Sequence, residues 1–395
     1  MKTVGIVAEY NPFHKGHEYQ LREAVRRSGA DCSAVVMSGS FTQRGSPAIL
    51  DKYARAEAAV RCGADLVLEL PLTFAVASAE RFALGGVSIL SRFADVLSFG
   101  AECGDAPLYA SVADFLLSSE GKDSLRGALR EGLSYPAALE KAAARLEPEA
   151  RGLLSRPNAI LGVEYVKAIR KLSLPLPFLP VARIGSGHDE EGAPDGYSAS
   201  SLRSLPADKM AGYLPRDSAG VLLREAEKGC FLSDQSLYRA EMMTCLRRMS
   251  KEEWRSVAGV SEGIENRILS AIRQTADPEE AVKLANSGRY PSSRIRRILL
   301  SAYLGITADR IRAFPEPRYA CVLAFSRKGR ELLAAAKDSG FPLIVNGSRS
   351  RFLPKDDFRE FQREAAADDL YYMAMPDPSV RTAGTAFLKK PYMES

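Results

Sequence analysis

Short apolar runs alternate with longer amphipathic stretches through roughly the first half of the chain. Thr3–Ala8, Ser33–Met37, Leu66–Glu69 and Val96–Phe99 are runs of the length and composition of buried strands. His17–Ser28, Lys52–Cys62 and Ala79–Ser91 lie between them and carry apolar residues at helical spacing. Strand followed by helix followed by strand predicts βαβ units wound right-handedly into a parallel sheet. Pro177–Gly187 reads as a late strand entering a glycine-bearing loop. Each predicted strand ends in a polar or glycine-rich loop: Glu9–Gly16, Ser38–Gly45, Glu69–Pro71 and Gly100–Gly104. In open sheets of this kind ligands sit at the carboxyl ends of the strands, near the point where strand order reverses. The chemistry is expected on that edge.

From about residue 206 the texture changes. Helical patterns dominate (Ala219–Lys228, Gln235–Ser250, Arg294–Leu304), and Leu205-Pro206 and Leu214-Pro215 punctuate the change. The division expected is an α/β domain over 1–205 and a mainly helical domain over 206–395. Two short strand-like runs, Tyr319–Ser326 and Phe341–Asn346, form a small mixed element within the latter.

Composition narrows the class. Of the 395 residues 46% are apolar and 26% charged, which suits a packed core and excludes a disordered chain. No apolar run approaches the ~18–20 residues that span a bilayer, and the N-terminal stretch turns polar too soon for a signal peptide. Cys32, Cys62, Cys103, Cys230, Cys245 and Cys321 are scattered without a Cys-x-x-Cys pair, a pattern of single thiols in a reducing cytosol that argues against a structural zinc site. The net charge of +5 is uneven: residues 1–205 hold 23 Lys+Arg against 24 Asp+Glu, and 206–395 hold 31 against 25. A basic second half is a weak pointer to nucleic acid.

His14-Lys15-Gly16-His17 falls where the first strand gives way to the first helix. Imidazoles three residues apart share one face of a helix start, whose unpaired N–H groups and partial positive charge favour a phosphate. Gly16 lets a nucleotide approach the backbone, Pro12 fixes the loop, and Asn11 can hold a turn. Attack on the α-phosphate of ATP with pyrophosphate leaving suits such an array, because the protein's task there is alignment and charge stabilisation. A His-x-x-His pair is also compatible with a metal site or with plain capping; the one remaining histidine is His188. Ser198–Arg203 places hydroxyls ahead of a short helix, so that Ser200 or Ser201 caps it while Arg203 meets a β- or γ-phosphate.

The first segment resembles the His-x-Gly-His signature of the nucleotidyltransferase superfamily, and Ser198–Arg203 resembles its late Ser-Ser/Thr-x-x-Arg motif. The likeness narrows along the chain. Gly5-Ile-Val-Ala-Glu-Tyr-Asn-Pro-Phe-His-Lys-Gly-His17, Met37-Ser-Gly-Ser-Phe-Thr-Gln-Arg-Gly-Ser-Pro-Ala48 and Asp51-Lys-Tyr-Ala-Arg55 are similar to the bacterial tRNA(Met) cytidine acetate ligase family. So are Gly63–Pro71, Ser78-Ala-Glu80, Pro157-Asn-Ala-Ile-Leu-Gly-Val-Glu-Tyr165 and Arg294-Ile-Arg-Arg-Ile-Leu-Leu300. Arg156 departs from the pattern, standing where a glycine is expected.

The resemblance implies a Rossmann-like nucleotidyltransferase domain and a two-step reaction. Acetate attacks ATP to give acetyl-adenylate and pyrophosphate; the exocyclic amine of the wobble cytidine of elongator tRNA(Met) then takes the acetyl group. It implies an ATP site at Val7, Ala8, Glu9, Tyr10, Asn11, Pro12, Phe13, His14, Lys15, Gly16, His17, Glu18, Tyr19 and Gln20, with Gly100, Asn158 and Arg183. His14 and His17 are the catalytic pair, and magnesium is expected to arrive with ATP, since no carboxylate cluster marks a dedicated cage. Physical reading runs beside this: Asn158 can read an adenine edge and Arg183 can hold phosphate, while Gly100 can equally be a turn glycine and Arg183 a surface ion pair. Arg294, Arg296 and Arg297 are the expected tRNA contacts, or else a solvated helix face. Asp51, Lys52 and Arg55 are open between catalysis and a helix cap. Two other functions compete: a small-molecule adenylyltransferase, which has no use for the second half, and an RNA-binding protein with a disused nucleotide fold.

Overall fold

The computed structural model describes residues 1–143, 146–154, 156–183, 199–336 and 339–394. Its frame is an eight-stranded mixed sheet. Five strands come from the first half: β1 (Thr3–Ala8), β2 (Cys32–Ser38), β3 (Leu66–Leu70), β4 (Val96–Ala101) and β5 (Phe178–Ala182). They run parallel in the order β5-β4-β1-β2-β3, with β1 in register against β2 (Ile6 beside Val35) and against β4 (Gly5 beside Leu97). β1, β2 and β3 are apolar nearly throughout because helices cover both faces, as a parallel sheet requires. On one face lies α1 (Lys15–Ser28) with α2 (Lys52–Arg61); on the other the helices Ala79–Leu90 and Pro157–Lys171 pack together over Val7, Leu68, Phe99 and Tyr109. Strand order reverses between β1 and β4, and the crevice this opens lies beside the loop Glu9–Phe13.

The sheet continues past residue 205. β6 (Ala320–Phe325) adds antiparallel to β3, and β7 (Leu343–Ile344) and β8 (Tyr392–Met393) pair with β6. The runs expected as a separate mixed element are therefore the far edge of the main sheet. The reason is chemical: Ala320, Val322, Leu323 and Ala324 are buried, and Asp65 anchors the strand by accepting from the Ser326 amide and hydroxyl at 2.8 Å each. The helices of 236–304 form a second apolar core around Trp254, Leu246, Ile295 and Ile298, and the long helix Lys355–Met373 belongs to both bodies through Tyr371 and Tyr372. Among the described residues no helix is long and apolar enough to cross a membrane.

Candidate functional site: the histidine pair at the carboxyl edge

The loop after β1 turns through Tyr10, in a left-handed conformation (φ 46°), and a cis Asn11-Pro12 bond. Its bends are tied from several sides. Asn11 Oδ1 accepts from the Ile49 amide at 2.9 Å, Ser218 donates to the Phe13 carbonyl at 2.7 Å, and Arg203 donates to the Asn11 carbonyl at 3.0 Å. Arg55, 1% exposed, reaches across the sheet edge and donates to the carbonyls of Glu9 (2.6 Å), Leu50 (3.0 Å), Ser38 (3.2 Å) and Gly39. One guanidinium thus holds the carboxyl ends of β1 and β2 together, a use of its donor fork that a lysine cannot reproduce.

His14 closes the loop and caps α1. Its Nδ1 accepts from the Gly16 amide at 3.0 Å, while its own amide donates to His17 Nδ1 at 3.4 Å, a reciprocal capping box built from two histidines. The rings stack at 3.8 Å between centroids and 21° between planes. His17 also meets the edges of Tyr10 and Phe13 at 5.0 and 5.8 Å. Because each Nδ1 accepts, each neutral ring carries its proton on Nε2. A hydrogen bond to the Pro12 backbone engages His17. Among the described residues no acceptor meets the Nε2–H of His14.

Electrostatics fix the charge state. Burial, then Arg183 and Arg203, bring the His14 pKa down to about 4. Burial, then His14 and Arg183, hold His17 well below the ordinary imidazole value. Both rings are neutral near pH 7, so positive charge at this edge comes from arginine. The expectation that the bare helix N-terminus receives phosphate is modified here: the Gly16 N–H is already taken by His14. Gly16 has a second reason to lack a side chain, since a Cβ would lie 2.9 Å from His14 Cε1 and 3.1 Å from Nδ1. Gly16→Ala is accordingly expected to displace the His14 ring and cost at least ten-fold in turnover while leaving the thermal midpoint within a few degrees; unchanged turnover would remove the glycine from the argument.

The remaining expected residues fall into three sets. Val7, Tyr10 and Phe13 give their side chains to the core, so only their backbone faces the crevice, whereas Ala8 and Glu9 are half-buried beside it. Glu9 accepts from the Gln43 amide at 2.6 Å and so joins the loop after β1 to the loop after β2. On α1, Lys15 is exposed, Glu18 pairs with Arg22 at 2.7 Å, Tyr19 is half-buried, and Gln20 reaches Ser98 of β4 at 3.4 Å. The second set comes from other strand ends. Gly100 lies inside β4, paired with Val181 of β5, and so is not the turn glycine that was one expectation; an added Cβ would meet only Gln20 Cγ at an ordinary 3.6 Å. Asn158 donates to Glu102 at 2.8 Å, leaving its side-chain oxygen to accept. Arg183 follows β5, exposed, with its amide on the Ala101 carbonyl at 2.9 Å. His188 and Ser198 lie outside the described residues, as does the side chain of Ser200. Ser201 stands inside the helix Ala199–Leu202 rather than ahead of it, which corrects its expected capping role; Arg203, half-buried, does reach the loop.

The third set is remote or structural. Asp51 caps α2 through the Ala54 amide at 2.8 Å and also accepts from Tyr372 (2.9 Å) and Lys389. Lys52 is sealed between Glu69 (2.7 Å) and Asp368 (2.6 Å). Both residues, like Arg55, are buried and fully engaged by protein partners. Of the three arginines on the helix Ser292–Tyr303, Arg294 is bound to Ser261 at 2.8 Å and Arg296 to Glu279 at 2.7 Å, while Arg297 is half-buried. No sequence signal marked Arg44 and Glu102 individually, although Arg44 lies in the segment Met37–Ala48 and Glu102 in the loop Gly100–Gly104, both already singled out; Glu9 stands among the residues expected at the nucleotide.

A parallel sheet with a His-x-Gly-His pair at its switch point defines a nucleotidyl transferase, and a sequence profile of the HIGH Nucleotidyl Transferase family matches residues 1–385. The chain is 38% identical to the tRNA(Met) cytidine acetate ligase of Acetivibrio thermocellus over 98% of both chains, and 35% identical to that of a Geobacillus species over 99% of this chain and 98% of the other. It superposes on a crystal structure of Thermotoga maritima TmcAL bound with alpha-thio ATP at a TM-score of 0.91, with 31% identity, covering 100% of this chain and 99% of that one. This chain belongs to the tRNA(Met) cytidine acetate ligase family.

Proposed function

We propose that the protein joins acetate to ATP as acetyl-adenylate and transfers the acetyl group to the exocyclic amine of the wobble cytidine in elongator tRNA(Met). The observation that carries this is the neutral His14 Nε2–H at the β1–β4 crevice, flanked by the charges of Arg183 and Arg203. An acetate oxygen attacks the α-phosphorus, the bond to the bridging oxygen breaks, and pyrophosphate leaves with the electron pair. His14 donates to the phosphoryl oxygens as charge moves outward, Arg183 and Arg203 hold the triphosphate, and His17 positions His14 by stacking. In the second step the cytidine amine attacks the acetyl carbon, AMP departs, and the amine proton goes to solvent or to the AMP phosphate. Asn158 accepts from the adenine amino group. Residues 7–20, Gly100, Ser200 and Ser201 complete the nucleotide site.

Among the described residues no group of three His, Cys, Asp or Glu could hold a metal ion. Magnesium would accompany ATP and neutralise charge on the triphosphate and on the departing pyrophosphate, and no step here is routed through it. Residues 1–205 supply the adenylation site, residues 206–395 supply tRNA contacts at Arg294, Arg296 and Arg297, and the protein works in the cytoplasm.

Incubation with ATP, labelled acetate and tRNA should yield labelled 4-acetylcytidine in nucleoside digests. Unlabelled tRNA from protein that still binds ATP would overturn the reading. Gly100→Ala is a sharper local test. The free protein has room for the methyl group, so stability should hold while the KM for ATP rises several-fold if adenine or ribose lies against this strand end. An unchanged KM would leave Gly100 a plain residue of β4 with no part in nucleotide binding.

A further inference from the structure

Past Ser38, where β2 ends, the rest of the segment Met37–Ala48 belongs neither to the sheet nor to the histidine pair. It forms a tight hairpin closed by a Phe41–Pro47 bridge, with the Thr42 amide on the Ser46 carbonyl at 2.9 Å and the Gly45 amide on the Thr42 carbonyl at 3.0 Å. Its tip is Gln43-Arg44-Gly45, and both flanks of the tip are fastened. On one side the Glu9 carboxylate of the nucleotide loop takes the Gln43 amide at 2.6 Å. On the other, Gly45 (φ 86°) lies flush on the helix Ser292–Tyr303, where a Cβ would stand 3.0 Å from both the Arg296 carbonyl carbon and the Arg297 nitrogen. The tip therefore bridges the nucleotide site and the arginine helix, and Arg44 is exposed there.

Two facts give the bridge a chemical direction. Arg44 lies close enough to Arg203 for their like charges to be felt, so it sits at the rim of the nucleotide crevice. Arg297, unlike Arg294 and Arg296, meets no acceptor or carboxylate among the described residues, and its one electrostatic neighbour is Arg294, of like sign. Burial, and then Arg294, push its pKa down to about 10. A half-buried guanidinium without a counter-charge is costly unless an anion arrives. The sign of the charge, and the packing of the tip against the helix, fit a polyanion laid from the helix across the hairpin tip.

Resting on the acetyl-transfer reading above, we infer that Arg44 on the hairpin tip and Arg297 on the helix against which Gly45 packs grip the tRNA backbone next to the nucleotide to be modified and set its reach to the acetyl-adenylate. Arg44 is a positioning residue here, since it acts on the RNA backbone and not on the reacting atoms.

Binding of tRNA(Met) transcript by the full-length protein, measured across a series of salt concentrations, tests this. Arg44→Ala and Arg297→Gln are each expected to weaken binding about ten-fold and to reduce the slope of log K against log salt by about 0.7–0.9, one phosphate contact each. Arg44→Lys should keep the slope. ATP affinity, measured without RNA, should stay within two-fold of the wild type for Arg44→Ala. A wild-type protein that fails to bind tRNA would overturn both this inference and the function it rests on. A wild type that binds with a steep slope, beside an Arg44→Ala variant of equal affinity and slope, would overturn the inference alone. So would a loss confined to ATP, which would place Arg44 in the nucleotide site.

Discussion

Replacing His14 by alanine is expected to slow acetate-dependent exchange of pyrophosphate into ATP by about 100- to 1,000-fold, the range for loss of one preorganised donor to a developing oxyanion. The argument rests on which proton the ring can offer. Nδ1 is occupied by the Gly16 amide, so the Nε2–H is the free donor. His17 stacks on that ring and is itself tied to the Pro12 backbone. It should act through His14, and the double variant should be no slower than His14→Ala alone. The charge state adds a pH signature. Because burial and the arginines lower the His14 pKa to about 4, kcat/KM for ATP should show no inflection near the ordinary imidazole value of about 6.5, and should change only as pH falls toward 4. Stability follows the same linkage. A folded pKa below the unfolded one means that the unfolded chain binds the proton first. The His14 contribution is thus complete above about 6.5 and is lost as pH falls toward 4, by about 3 kcal/mol. Exchange within three-fold of wild type for His14→Ala, or a clear inflection near 6.5, would remove the imidazole from the chemistry.

The parallel half of the fold was legible because its strands are short apolar runs separated by amphipathic helices, and a parallel sheet writes both signals strongly. Thr3–Ala8 matches its predicted bounds, and Val96–Phe99 gains only Gly100 and Ala101. The first helix begins at Lys15, two residues earlier than its pattern suggests, because its cap is a histidine rather than the Ser, Thr, Asp or Asn that usually signals a start. β6 was legible as a strand but not as a partner of β3. Pairing of Val67 with Ala324 is decided by which sheet edge remains uncovered, a tertiary fact with no local signature. The arginines of the helix Ser292–Tyr303 show the same limit. Arg294, Arg296 and Arg297 are alike in sequence, and only packing tells that Glu279 has claimed one of them and that another meets no counter-charge among the described residues. The His-x-Gly-His loop could be located from sequence, but the direction of its protons could not, since that depends on Gly16 and Pro12 in three dimensions.

Lys52→Met should be the most damaging substitution for stability, lowering the free energy of unfolding by about 3–5 kcal/mol in urea titrations. The lysine side chain is 6% exposed, and its ammonium sits 2.7 Å from Glu69 on β3 and 2.6 Å from Asp368 on the helix Lys355–Met373. Asp368 in turn accepts from Ser40 at 2.7 Å, at the base of the hairpin that carries Arg44. Two carboxylates thus converge on one cation, and burial is the largest influence on Glu69, pushing its pKa up despite the adjacent lysine. Removing the cation leaves two acids facing each other in a dry site, which is worse than having no charges there at all. The comparison that isolates this is a triple variant, Lys52→Met with Glu69→Gln and Asp368→Asn, which should recover most of the loss because no uncompensated charge remains. Recovery would identify the cluster as framework that docks the C-terminal helix onto the sheet edge. A single variant as stable as wild type would show that the carboxylates need no counter-ion. A triple variant as unstable as the single one would mean that lysine packing, rather than its charge, holds the helix in place.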